Sequence, residues 1–292
     1  MSGYKDGYWW SADGLRLHYR DYSADEDHAA RPAIVCLPGL TRNARDFETL
    51  AERLAGQWRV ICPEMRGRAE SAYSKDAMTY VPITYMQDLE RLFTDLDLRH
   101  MAIIGTSLGG IIAMLLAATR PDRLAGVLLN DIGPDLEEAG LNRIRTTVGA
   151  GSAQPTWVHA ARALADTQGM IYPDYALEDW LAMAKRLYRL TSAGRVVLDY
   201  DPRISEPLRV QGGEAGVDLW PTLQAFRGVP TLIVRGEISD LMSAATAERM
   251  LSIIGETAEL VTVPRVGHAP TLDEPIVVAE IDRWLERVLA RG

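Results

Sequence analysis

Apolar positions along this chain follow two rhythms. Near the start, Tyr8-Trp9-Trp10-Ser11 leads through Ala12-Asp13-Gly14 into residues 15–20, where apolar and polar side chains alternate at period two. Alternation on either side of an Asp-Gly turn predicts a β-hairpin. After a polar stretch over residues 23–31 the pattern changes to short continuous apolar runs at 34–37, 60–62, 101–104 and 127–129. Such runs mark strands buried on both faces. Between them, residues 43–55 put Phe47, Leu50, Ala51 and Leu54 on one helical face, and residues 82–97 do the same with Tyr85, Leu89, Leu92, Phe93 and Leu96. Residues 108–119 are apolar nearly all round, as a buried helix is. Strands alternating with helices predict an α/β fold: a mostly parallel sheet covered by helices on both faces.

The alternation stops at Asp131-Ile132-Gly133-Pro134. From there to about Gly216 the chain reads as helical pieces (136–148, 155–165 and 177–190) with no convincing buried strand. Alternation resumes with a strand at 230–234, a helix near 243–254, a strand at 259–263 and a terminal helix at about 275–290. The expected organisation is therefore a core of residues 1–133, an inserted helical cap of 134–217, and the rest of the core at 218–292. The insertion is rich in large side chains: Trp157, Met170, Tyr172, Tyr175, Trp180, Met183 and Tyr188. At helical spacing some of these form the insertion's own core. Trp157, Tyr172, Trp180 and Tyr188 are the candidates to line an apolar substrate pocket.

Length and composition suit this reading. A chain of 292 residues with 47% apolar and 24% charged positions fits one α/β domain carrying an insertion. A net charge of −9, with basic residues dispersed, excludes a nucleic-acid footprint and a membrane-binding patch. The N-terminus, MSGYKDGYWWSADG, lacks the basic and apolar regions of a signal peptide, and no run approaches the ~18 apolar residues of a membrane span. The expected location is cytoplasmic. Cys36 and Cys62 sit inside apolar runs and are expected to behave as small buried hydrophobes. There is no His/Cys cluster and no nucleotide fingerprint, so no metal or organic cofactor is expected. The expected partner is a small-molecule substrate, and assembly into a homo-oligomer stays open.

The candidate chemistry sits at strand ends. Gly105-Thr106-Ser107-Leu108-Gly109 has the form G-x-S-x-G, directly after an apolar strand and directly before a buried helix. That setting is what a nucleophile elbow requires: a serine on a strained turn, with glycines two residues either side letting the neighbouring elements approach. The plain structural alternative is a glycine-rich helix start capped by serine. Serine needs a base, and of five histidines only His268 follows the last strand at the carboxyl edge of the sheet. His18 lies in the hairpin, His28 in a polar loop, His100 before a strand and His159 in the insertion. The third member must hold the imidazole in the right tautomer. Asp240, in the loop after the strand 230–234, is the expected acid, giving the order Ser, Asp, His. Its rivals are Glu237 in the same loop and Asp131, which follows the strand before the insertion and otherwise reads as bonding loop amides there. Oxyanion donors would be the backbone N–H groups of Leu108 and Leu40.

These motifs resemble the α/β-hydrolase superfamily, in particular its cap-bearing branch of small serine esterases, lactonases and carbon–carbon bond hydrolases. The carriers are Leu37-Pro38-Gly39-Leu40, Pro63-Glu64-Met65-Arg66-Gly67-Arg68, the elbow at 105–109, Asp240, and Gly267-His268 followed by Asp273-Glu274-Pro275. Proline stands where the first family motif usually has histidine. In the second, usually D-x-R-G-x-G-x-S, Glu64 replaces the aspartate and Ala69 the second glycine, while Arg66, Gly67 and Ser71 match. Asp240 is one residue further from its glycine than in many relatives. The resemblance implies hydrolysis of a carboxylic ester or lactone of a small, largely apolar substrate through an acyl-enzyme. Serine at the nucleophile position argues against haloalkane dehalogenases and epoxide hydrolases. Two alternatives stay open: cleavage of a carbon–carbon bond in a ring-fission diketone, and, in another class, a non-catalytic ligand receptor on a hydrolase fold.

Overall fold

The computed structural model describes residues 3–209 and 218–291. In chain order its strands are β1 (Lys5–Trp10), β2 (Arg16–Tyr22), β3 (Ala33–Leu37), β4 (Val60–Glu64), β5 (Met101–Thr106), β6 (Leu124–Asn130), β7 (Tyr188–Leu190), β8 (Val196–Leu198), β9 (Thr231–Gly236) and β10 (Ala258–Val263). Its α-helices are α1 (Glu48–Leu54), α2 (Pro82–Asp95), α3 (Leu108–Thr119), α4 (Glu138–Thr147), α5 (Trp157–Gln168), α6 (Leu177–Leu187), α7 (Ala244–Ile254) and α8 (Pro275–Arg291). Among the described residues, eight strands form one sheet in the order β1-β2-β4-β3-β5-β6-β9-β10. β1 pairs antiparallel with β2, and β2 antiparallel with β4; every other pair is parallel.

The continuous apolar runs have a simple cause. Successive side chains of a strand point to opposite faces, and here both faces are covered. Ile34 and Cys36 of β3 pack with Leu50 and Leu54 of α1 and Ile281 and Trp284 of α8. Val35 and Leu37 pack on the other side with Leu89 and Leu92 of α2 and Ile112 of α3. α3 is apolar all round because it lies between the sheet and other elements, with its Ile112, Ala113 and Met114 fully buried.

Between β6 and β9 lie α4, α5, α6 and a two-stranded hairpin, β7 with β8. The last part of this segment, residues 210–217, and with it the expected boundary at 217, falls outside the described residues. The expected helix over 177–190 ends at Leu187, and Tyr188 instead starts β7. Only the first residue of β7 is buried, so three residues leave no alternating signature to read. The segment has a core of its own in which Trp180, Met183 and Ala184 of α6 pack on Ala160, Ala161 and Leu164 of α5. No helix among the described residues is long and apolar enough to cross a membrane.

Buried charge reinforces the pairing of β2 with β4. Glu64, the departure from the family motif, accepts from the Nδ1 of His18 at 2.9 Å, while Asp6 accepts from its Nε2 at 2.9 Å. Ser71 completes the contact, taking the His18 amide and donating to the Glu64 carbonyl. Burial opposes a charge on His18, but the hydrogen bonds and charges of Glu64 and Asp6 outweigh it and raise the histidine's pKa. A raised folded-state pKa means the native protein binds this proton more tightly than the unfolded chain does. The stabilisation is therefore complete below the ordinary histidine value of about 6.5 and is lost as pH rises through the raised value. Denaturant unfolding of wild type and His18→Asn across pH 5–9 should show a gap between them that is widest at the acid end and narrows with rising pH.

Candidate active site

Ser107 stands between β5 and α3 with φ 53° and ψ −116°, a backbone conformation that a residue with a side chain rarely adopts. The two flanking glycines make this turn feasible. A Cβ on Gly109 would lie 2.0 Å from the Leu37 carbonyl oxygen, and one on Gly105 would lie 2.6 Å from the Gly109 backbone. No larger residue fits either position without moving main chain. The Ser107 amide donates to the Asn130 carbonyl at 3.0 Å, so the turn is also tied to the end of β6. The result is a half-buried hydroxyl at the carboxyl edge of the sheet, where open α/β sheets present their ligand sites.

His268, in the loop after β10, meets that hydroxyl. Its Nε2 lies 2.9 Å from Ser107 Oγ. Its Nδ1 lies 2.8 Å from Oδ2 of Asp131, which is fully buried just past the end of β6. An ionised carboxylate only accepts, so Nδ1 carries the proton and Nε2 is left free to accept from the serine. Asp131 is itself fixed at both oxygens: the Gly236 amide donates to Oδ1 at 2.8 Å and Ser239 Oγ to Oδ2 at 2.6 Å. The alternative acid, Asp131, thus makes this contact and bonds the Gly236 amide as well.

The expected acid does not. Asp240 accepts instead from Arg143 of α4, through Nε at 2.6 Å and Nη2 at 2.7 Å. Burial opposes the ionisation of Asp240, but Arg143 outweighs it and holds the carboxyl below its usual range. The Asp240 carbonyl also accepts from the Gly140 amide at 2.9 Å. Asp240 therefore clamps α4 to the loop after β9. The cause lies in that loop, which turns back on itself, the Ser239 amide bonding the Gly236 carbonyl. Glu237 is occupied elsewhere, accepting from the Arg265 amide.

The loop after β3 lies against the elbow, where a Cβ on Gly39 would stand 3.7 Å from that of Ser107. Next to it, the Leu40 carbonyl accepts from Arg68 through Nε at 2.9 Å and Nη2 at 2.7 Å. Arg68 is fully buried and also donates to Tyr85 and to the Arg66 carbonyl. In the sequence Arg68 stood only as a carrier of the family resemblance, yet it orients the segment carrying one candidate oxyanion donor. Leu108 is the first residue of α3, and the first N–H groups of a helix have no intrahelical acceptor.

These groups open into a cavity of about 480 Å³ lined by Ser107, His268, Leu40 and residues of the insertion. Of the four expected pocket residues, Tyr172 and Tyr188 line it. Trp180 is buried in the insertion's own core, and Trp157 packs on that core with Lys185 Nζ 3.7 Å from its ring centre. The lining is also less apolar than expected, since Arg42, Asp46, Arg143 and Arg186 contribute to it beside Ile144, Val148 and Leu187. The contacts that tie the histidine loop to the insertion include the Gly267 N–H donating to the Ile171 carbonyl at 2.8 Å, Tyr172 Oη donating to the Ala269 carbonyl at 2.7 Å, and the ion pair of Arg265 with Asp174. Burial pushes the Tyr172 phenol well above its usual pKa, which keeps it a donor.

Comparison with known proteins agrees with this architecture. Residues 34–281 match the model of the alpha/beta hydrolase family. A 3-hydroxybutyrate-oligomer hydrolase of Cupriavidus necator is 34% identical over 272 residues, covering 90% of this chain and 91% of the relative. A 2-(acetamidomethylene)succinate hydrolase of Mesorhizobium japonicum is 29% identical over 239 residues, 81% of each chain. The crystal structure of an alpha/beta hydrolase from Novosphingobium aromaticivorans superposes with a TM-score of 0.93 at 54% identity, covering 98% of this chain and 99% of that one. The chain belongs to the α/β-hydrolase family and is a hydrolase.

Proposed function

We propose that the protein is a serine esterase in which Ser107 is the nucleophile, His268 its general base and Asp131 the acid that orients the base. The observation that carries this reading is the unbroken line of hydrogen bonds from Ser107 Oγ through both nitrogens of His268 to the buried Asp131. His268 Nε2 takes the Ser107 proton as the oxygen attacks the ester carbonyl, and the amides of Leu40 and Leu108 take up the charge that develops on the carbonyl oxygen. The imidazolium then gives its proton to the leaving alcohol. Water, deprotonated by the same nitrogen, attacks the acyl-enzyme and returns Ser107. Asp131 stays ionised throughout and stabilises the imidazolium.

The segment between β6 and β9 serves as the cap that shapes the substrate space over Ser107. Its support for that role is direct, since Ile144, Leu187 and Tyr188 share a cavity with the serine. A cavity of about 480 Å³ suits a small substrate. The relative named for 3-hydroxybutyrate oligomers, whose units are joined by ester bonds, supports ester chemistry on this framework.

Incubation with a fluorophosphonate, followed by peptide mass spectrometry, is expected to find Ser107 modified. A panel of short p-nitrophenyl esters, lactones and ring-fission diketones is expected to give turnover of esters first. Preferential cleavage of the diketones would make the protein a carbon–carbon bond hydrolase, and tight binding without turnover of any class would make it a receptor.

A further inference from the structure

Three arginines among the described residues line the cavity, and they are not equivalent. Arg42 is bound at two nitrogens by the two oxygens of Asp46, and Arg143 in the same way by Asp240. A guanidinium held fork to fork has its charge met. Arg186, the penultimate residue of α6, is held differently. Its nearest carboxylate is Asp273, 3.5 Å from Nη1, and its buried Nε has no hydrogen-bond partner among the described residues. Its side chain is only 19% exposed. A cation this far out of water is costly unless it is paired and hydrogen-bonded. Asp273 does not fill that role well. Its own burial pushes its pKa up, against the opposing influence of Arg186.

The main chain at Arg186 is, by contrast, tightly fixed. Its carbonyl accepts from Asn43 Nδ2 at 3.1 Å and from Arg45 Nε at 2.9 Å. Asn43 caps, and Arg45 lies in, a short 3-10 helix (Ala44–Phe47) that continues the loop of Gly39 and Leu40, beside the nucleophile. Arg186 therefore projects from the insertion but is registered to the same loop that carries a candidate oxyanion donor. A charged group with an incomplete partner, held at a set position in a cavity with Ser107, is what recognition of an anionic substrate requires.

From this cavity we infer that Arg186 binds a free carboxylate on the substrate, so that the preferred compounds are short monoanionic esters carrying the scissile ester and a carboxylate in one molecule. The planar guanidinium takes such a group at two oxygens. This substrate class rests on the esterase reading above, but the carboxylate site can be measured without turnover.

The test uses Ser107→Ala as the parent, titrated calorimetrically with monomethyl glutarate and with dimethyl glutarate. The monoanion is expected to bind about tenfold or more tightly than the neutral diester, the worth of a charge-assisted hydrogen bond or pair. Arg186→Gln in that parent is expected to bring the two affinities within about twofold of each other, while Arg186→Lys, which keeps the charge but loses the fork, keeps part of the preference. The anchoring contacts at residue 186 use its carbonyl, so both variants retain them, and Arg186→Lys supplies the measurement if Arg186→Gln fails to fold. Equal affinities in the parent, no measurable binding of the monoanion, or a preference that survives Arg186→Gln would each overturn the assignment. Wild type that binds the monoanion preferentially yet hydrolyses no ester would instead overturn the esterase reading and leave Arg186 as an anion site.

Discussion

Ser107→Ala is expected to lower kcat on a short p-nitrophenyl ester by on the order of 10⁶, the scale of loss when the serine or histidine of such a unit is removed. The reason is chemical rather than structural. The substitution deletes the only oxygen that His268 Nε2 contacts among the described residues, at 2.9 Å, and puts no nucleophile in its place. The backbone bonds that hold the turn are untouched, since the Ser107 amide and carbonyl make them, to Asn130, Gly110 and Ile111. The variant should therefore unfold at nearly the wild-type denaturant midpoint while losing both turnover and fluorophosphonate labelling. Turnover retained within tenfold of wild type, or labelling at another residue, would show that the reaction runs elsewhere.

This dissociation of activity from stability follows from how the elbow is built. The strain at Ser107 is imposed by the elements around it: Gly105 and Gly109 let β5, α3 and β3 close to backbone contact, and packing holds the turn once they do. The hydroxyl contributes to none of that packing. The site is a product of the fold, and the fold does not depend on the site.

Most of this was legible in the sequence because strand ends are legible. Continuous apolar runs located β3 to β6, the resumed alternation located β9 and β10, and in a parallel sheet the residues just past those strands share one edge. That argument placed Ser107 and His268 together before any coordinates. It could not choose between Asp131 and Asp240. β6 and β9 are neighbours in the sheet, so the loops that follow them open side by side. Pattern gives the address of a strand end, not the direction in which the next loop turns. One physical cue lay in the spacing. Asp131 follows its strand immediately, whereas Asp240 lies four residues past Gly236, far enough for a tight turn to carry it away. The pocket was harder to read for a related reason. Aromatic residues of the insertion face its core, the cavity or both, and spacing alone does not decide which. Trp180 and Tyr188 are both buried in the insertion's core, yet only Tyr188 also reaches the cavity. Arg42, Arg143 and Arg186 were passed over because dispersed basic residues carry no periodic signal.

Asp131→Asn is expected to reduce kcat by about 10⁴, with Asp240→Asn costing less than about tenfold. The substitution at 131 keeps the volume and leaves Oδ1 to accept from Gly236, while the amide nitrogen takes the place of Oδ2, the atom that Ser239 and His268 share. What changes is the group facing His268. A carboxylate there accepts from Nδ1–H and leaves Nε2 with its lone pair toward Ser107; an amide that presents its NH₂ makes Nδ1 the acceptor and moves the proton to Nε2. The imidazole would then donate to the serine rather than take its proton, and the imidazolium would have no counter-charge. Asp240→Asn removes the clamp on Arg143, a pair on the cavity wall that is about one-third exposed on both sides, and a charge that acts on His268 through space. Its effect should fall on KM and on the stability of α4 more than on kcat. Measured side by side on one ester, the two variants should therefore differ by at least about a thousandfold in kcat, since only one of them changes which nitrogen of His268 can accept a proton.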